Sequence, residues 1–192
     1  FNAEESEPMA IPVYKPTKED VLKCVARFDE IDAVDGGLPD QKVEGYYRTF
    51  RNALGFSQPE GGEEVFSPIG DEAKPKISHL KAGFGVGWVT ADPGQGVMMH
   101  VHDTNETFVV TEGTWKFEWE GDEGDDHVIL GEKDVVSFPP GMQRRFECVS
   151  ARDGETRGTL MAIVGGDTPS VEWSPEAVEE LKAAGAWPDA AE

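Results

Sequence analysis

Between Gly94 and Gly113 the chain sets His100 and His102 one residue apart and Glu106 four residues further on, with a glycine at either end. In an extended strand, residues of the same parity share a face, so the two imidazoles project together. Glu106 has that parity too, across the short polar turn Asp103-Thr104-Asn105. The stretch therefore has to fold as a hairpin that brings two imidazoles and a carboxylate to one side. That ligand set suits a first-row transition metal.

The chain around this hairpin reads as mostly β. From about residue 77 apolar residues recur with period two. Phe84, Val86 and Trp88 alternate with Gly83, Gly85 and Gly87, which gives a strand with one bulky face and one bare face open to close approach. Trp115, Phe117 and Trp119 alternate with Lys116, Glu118 and Glu120 as a half-exposed strand. Residues 121–126 read as a solvated acidic loop whose spacing does not match a calcium-binding loop. Residues 127–130, 135–138, 145–149 and 159–164 are further short strands separated by turn residues. Such spacing predicts a sandwich or barrel over residues 77–166.

Residues 1–76 form an N-terminal extension. It opens with an irregular arm over 1–16 and a helix capped by Thr17 that presents Val21, Leu22, Val25 and Phe28 through about Ile31. Residues 43–55 read as a short helix or strand, and 56–75 as a loop. The extension either covers a barrel edge or lies over the mouth as a lid. Residues 167–192 form a C-terminal helical tail, with Ser174 as cap, Pro175 in the first turn and Gly185 after the last.

The 192 residues suffice for a buried core. The formal charge of −21, from 38 acidic against 17 basic residues, excludes nucleic acid and anionic membrane surfaces as expected partners, because lysine and arginine supply the phosphate-neutralising interaction. No apolar run reaches membrane-spanning length and no signal-like segment is present, so cytoplasm is the expected compartment. Cys24 and Cys148 are far apart and are expected as two reduced, buried thiols.

The Gly94–Gly113 stretch resembles the first motif of the cupin superfamily, with Gly94, His100, His102, Glu106 and Gly113 in every motif position. The second motif is partly met. Pro139 and Gly141 match, but Lys133 stands where glycine is expected, Arg144 where the last histidine ligand is expected, and Cys148 where asparagine is expected. The resemblance covers about residues 77–166. It implies an all-β cupin jelly-roll barrel with a metal near one mouth, flanked by a partly helical N-terminal extension and a short C-terminal helix. Pairing of barrels into a homodimer is implied as well.

His100, His102 and Glu106 are thus the expected metal ligands, in a 2-His-1-carboxylate face with open positions for substrate. One divalent transition metal is expected there, iron first, with manganese, nickel or zinc as substitutes. The expected activity is that of a metal-dependent enzyme on a small carboxylated or hydroxylated compound, dioxygenase-like first, isomerase or lyase next. Arg144 carries no lone pair for a metal. It either grips an anionic substrate beside the metal, as a catalytic residue, or pairs with Glu106 and leaves a non-catalytic small-ligand barrel without metal. Phe146 shares its parity, which turns Arg144 inward and Arg145 outward. His127 and His79 are read as exposed rather than as ligands, and Cys148 as packing. Trp88, Met98, Met99, Phe108, Trp115, Phe117 and Trp119 are core or pocket lining.

Overall fold

A computed structural model describes residues 11–61 and 65–188. Two antiparallel sheets face each other. Strands β1 (Val34–Asp35), β2 (Thr49–Leu54), β3 (Phe84–Ala91), β10 (Gly158–Gly165), β5 (Glu106–Glu112) and β8 (Val135–Phe138) form a six-stranded sheet in that order. Strands β11 (Val171–Trp173), β4 (His100–His102), β9 (Arg144–Ser150), β6 (Thr114–Gly121) and β7 (Gly124–Leu130) form a five-stranded one. This is the jelly-roll that the resemblance implies, and it meets the sandwich or barrel expected from the alternating pattern. Two of its strands come from outside residues 77–166: β2 pairs with β3, and β11 pairs with β4.

The inward parity of each strand supplies the core. Phe108, Phe117, Phe146 and Trp115 meet there with centroids 5.2–5.8 Å apart for the Phe108–Phe146, Phe108–Phe117 and Trp115–Phe146 pairs. Burying each such ring is worth about 2–3 kcal/mol. Of the aromatic and methionine set singled out above, Met98, Phe108, Trp115 and Phe117 are buried, while Trp88, Met99 and Trp119 are half-buried. The bare face of β3 points inward and is filled by a ring. A Cβ on Gly85 would lie 2.7 Å from Phe56, so the glycine is what admits that side chain.

The structure alters several expectations. The helix from Thr17 stops at Leu22: α1 spans Lys18–Leu22, with the Thr17–Asp20 capping box in place. Beyond it the chain turns, and Phe28 to Glu30 make a single 3₁₀ turn. Val21 and Leu22 are about half exposed (49% and 50%), so no apolar partner among the described residues sustains a longer helix. Phe28 instead lies edge-on to Trp88 at 5.5 Å. The 43–55 segment resolves as β2. The acidic loop is shorter than expected, since Gly121 pairs with Gly124 and leaves Asp122 and Glu123 as a two-residue turn. Cys24 is exposed rather than buried; Cys148 is buried, and both are free thiols. Residues 1–10 of the expected arm lie outside the described residues. The C-terminal helix α2 (Pro175–Ala183) is capped by Ser174 and seats Ala177 and Leu181 in the core. No helix among the described residues is long and apolar enough to cross a membrane.

Lys133, in place of the motif glycine, has φ +75° and donates its N–H to the Val110 carbonyl at 2.8 Å. The turn keeps the left-handed conformation although the residue is not glycine, at a cost of about 1 kcal/mol. Lys133→Gly is expected to raise the unfolding free energy by up to about 1 kcal/mol, read by urea denaturation. A loss of stability would mean that the lysine side chain contributes more than its backbone costs.

Candidate metal centre

The hairpin β4–β5 carries His100, His102 and Glu106 to the barrel interior, with 3%, 3% and 4% of their surface exposed. Their ligand atoms all lie within 4.8 Å of one another. Each imidazole is oriented by backbone. His100 Nδ1 donates to the Met98 carbonyl at 2.8 Å and His102 Nδ1 to the Ser170 carbonyl at 2.7 Å. A carbonyl can only accept, so the proton sits on Nδ1 and Nε2 keeps its lone pair for the interior.

His102 Nε2 then faces Glu106 Oε2 at 3.5 Å. Burial first, then the neighbouring Arg144 and His102, hold His100 well below its ordinary value, so it stays a neutral imidazole at physiological pH. For Glu106, burial acts to raise the carboxyl. It is outweighed by the Arg144 guanidinium, whose two donated hydrogen bonds hold it well below the usual carboxylate range. A neutral imidazole and an ionised carboxylate are the protonation states in which these side chains ligate a cation.

Arg144 points inward, as its shared parity with Phe146 requires, and is fully buried. Its backbone pairs with that of His100 across β4 and β9. Its Nη2 and Nε donate to Glu106 Oε2 at 2.8 and 3.2 Å, and its Nη1 donates to the Met142 carbonyl at 3.1 Å. Both carboxylate bonds fall on Oε2, so Oε1 carries neither. Arg145 faces outward and pairs with Glu118.

The remaining candidates lie elsewhere. His127 is exposed on β7, opposite Glu118. His79 is exposed, with Nε2 3.6 Å from the Cys24 sulfur. Cys148 packs in the core, its thiol pushed up by burial.

Sequence reasoning missed a second buried ion pair. Arg48 grips Asp40 through Nη1 at 2.9 Å and Nη2 at 3.0 Å, with side chains 1% and 0% exposed. Asp40 Oδ2 also accepts from the Met98 N–H at 3.3 Å, and Met98 in turn holds His100. The N-terminal extension therefore reaches His100 of this cluster through two hydrogen bonds. Leu38, Phe50, Phe56 and Ile69 from the same extension wall the interior cavity beside the histidines, with Val171 and Trp173 of β11. Of the aromatics expected around the pocket, Phe108 is the one that lines it. The free space is about 20 Å³ measured to water centres, room for one water or ion. The indole Nε1 of Trp173, in the same wall, is buried without a hydrogen-bond partner among the described residues.

Residues 87–163 match the family described as the cupin domain. Among solved structures, the chain is similar to a vicilin from Solanum melongena, with 12% identity, a TM-score of 0.54, and coverage of 82% of this chain and 36% of that one. It is similar to a cupin-superfamily sugar phosphate isomerase from Silicibacter pomeroyi, with 19% identity, a TM-score of 0.48 and coverage of 78% and 80%. It is also similar to an oxalate oxidase, with 16% identity, a TM-score of 0.42 and coverage of 48% and 47%. The chain thus spans about a third of the vicilin's length and about half of the oxalate oxidase's. No curated protein sequence matches it.

Proposed function

The barrel of this chain is a cupin domain, and from that premise we propose that it is a metal-dependent enzyme acting on a small anionic compound. The observation that carries this reading is that the buried His100, His102 and Glu106 bring ligand atoms within 4.8 Å of one another inside the barrel. His100, His102 and Glu106 would hold one divalent transition metal, iron foremost. The metal supplies Lewis acidity and open coordination positions.

The protein's own residues set the rest. The Met98 and Ser170 carbonyls fix both imidazoles. Arg144 holds Glu106 through one oxygen and leaves the other for coordination. With Glu106 and Arg144 cancelling, a divalent ion leaves the buried site with about two uncompensated positive charges. A carboxylated or hydroxylated substrate that ionises on binding compensates them. The Trp173 indole N–H, without a partner, is a further donor for such an anion. The cavity as it stands excludes anything larger than a water, so substrate binding requires the wall of Leu38, Phe50, Phe56 and Ile69 to move. Oxygenase chemistry is the first assignment for this ligand set, with isomerase or lyase chemistry next.

The purified protein is expected to take up about one metal ion per chain, and His100→Ala to lose it. Chelation is expected to lower the melting temperature of the wild type and leave that of His100→Ala unmoved. A ligand present at a hundred times its Kd stabilises by about 2.7 kcal/mol. Metal analysis that finds no uptake after anaerobic reconstitution with Fe(II) would overturn the proposal.

A second reading is favoured by one specific observation, the two bonds that Arg144 makes to Glu106 Oε2. In it the guanidinium takes the place of the cation, and the barrel binds a small ligand without catalysis. Absence of metal uptake together with tight binding of a small carboxylate would select it.

A further inference from the structure

One residue of the cavity wall stands apart by its backbone. Phe56 has φ +54°, in the left-handed region that a residue with a Cβ occupies at a cost. Among the described residues only Lys133 does the same without being glycine. Such conformations collect at ligand clamps and switches, where leaving them offsets part of the cost of a motion.

The Phe56 ring is 4% exposed and lies on the bare inner face of β3. A Cβ on Gly85 would come within 2.7 Å of two ring atoms, and one on Gly87 within 3.5 Å of the ring. Ala162, beside Gly87 on β10, continues this floor of small residues. The slot so formed is as thick as one flat ring, and the ring in it is the protein's own. Phe56 and Ala162 wall the same cavity as His100, His102 and Glu106. Trp173 walls it too, 7% exposed, with an indole N–H that has no partner among the described residues. A buried donor left over in this way marks the place of an acceptor that the protein does not supply.

The cavity has room for one water, so an organic ligand needs space that a side chain now fills. Phe50 is held in the middle of β2, paired with Val34 and Val89. Leu38 lies two residues before Asp40, which the buried Arg48 grips. Ile69 sits in a turn closed by the Gly70 N–H donating to the Ser67 carbonyl at 2.9 Å. Phe56 instead follows the end of β2, after Gly55 at φ +76°, and leads into the exposed Ser57. It is the wall residue placed to swing.

We propose that Phe56 holds the place of the substrate's ring, and that the substrate is a small aromatic carboxylate or phenolate. Its ring takes the slot on Gly85 and Gly87 when Phe56 turns out, and its anionic group reaches the Trp173 N–H and the ligand cluster. This rests on the reading of the interior as a substrate site. A saturated ring is too thick for the slot. As Phe56 leaves, the Ser57 N–H gives up its hydrogen bond to the Asp167 carbonyl, 3.0 Å in the closed form.

Benzoate added to the metal-reconstituted chain is the probe. Its binding to the wild type is expected to speed hydrogen exchange at the Ser57 amide about 10-fold or more, where binding without the motion leaves exchange unchanged or slower. In calorimetry Phe56→Ala is expected to bind benzoate about 10-fold more tightly, since no closed state competes. Cyclohexanecarboxylate is expected to bind the wild type about 10-fold more weakly than benzoate. Unchanged or slowed exchange at Ser57 with benzoate bound overturns the proposal. So does equal affinity for the two acids, or no benzoate binding by either protein. If Phe56→Ala does not fold, the exchange measurement on the wild type decides. Metal analysis of the same samples separates the two readings. Metal uptake without the benzoate pattern overturns this proposal alone, whereas the benzoate pattern without metal uptake supports the slot and overturns the metal-dependent reading.

Discussion

Arg144→Leu, with Glu106 left in place, is expected to lower the unfolding free energy of the metal-free protein by about 3–5 kcal/mol. The size follows from what remains. Glu106 is 4% exposed and would lose both hydrogen bonds that neutralise it, leaving a buried carboxylate beside an acceptor nitrogen of His102. Replacing both partners by apolar residues, Arg144→Leu with Glu106→Leu, is expected to recover most of the loss, because no uncompensated charge stays behind. Bound metal is expected to recover part of it as well, since the ion takes over as partner of the carboxylate. Urea unfolding of the three proteins, with chelator and with metal, reads all of this. Equal losses in the single and double variants would show that packing, not charge, dominates.

The pH dependence has a definite sign. Glu106 titrates below its ordinary value in the fold, so the unfolded chain takes up the proton first as pH falls. The stability it contributes is complete above about pH 4.5, its ordinary value, and is lost progressively on acidification below that. In Arg144→Leu this acid-side loss is expected to shrink, because burial, which raises the carboxyl, is no longer opposed by the guanidinium.

Asp40→Ala should be comparably damaging, about 3–5 kcal/mol, although it lies far from the ligands in sequence. It strands the Arg48 guanidinium in the interior and removes the acceptor of the Met98 N–H. Because the Met98 carbonyl holds His100, the same change is expected to weaken metal binding by about 10–100-fold, the range for losing a group that orients a ligand. Metal titration beside denaturation separates the two effects. A variant with lowered stability and unchanged affinity would mean that the extension stabilises the barrel without setting the site.

The barrel and the ligand hairpin were legible because both rest on parity: alternate residues face one way, and His100, His102, Glu106, Arg144 and Phe146 all obey that rule. The orientation of the imidazoles was not legible, since its acceptors are backbone carbonyls that any sequence provides. Asp40 and Arg48 gave no signal because each sits in a turn-rich or ambiguous stretch and their burial depends on meeting each other. The short apolar–charged–apolar alternation Val171-Glu172-Trp173 could have revealed β11. The helix after Thr17 was overextended because its apolar spacing is real while the partner that would bury it is missing among the described residues.

The two carbonyls that hold the histidines also bear on how this centre tolerates change. Every amino acid brings the same peptide oxygen, so residue 170 can be exchanged without altering the proton position on His102, and the Met98 side chain is free to serve packing alone. The centre is vulnerable instead to anything that moves the main chain there. Insertions or deletions in the segment before β4 or in the link between β10 and β11 should harm it more than most side-chain replacements at the same positions.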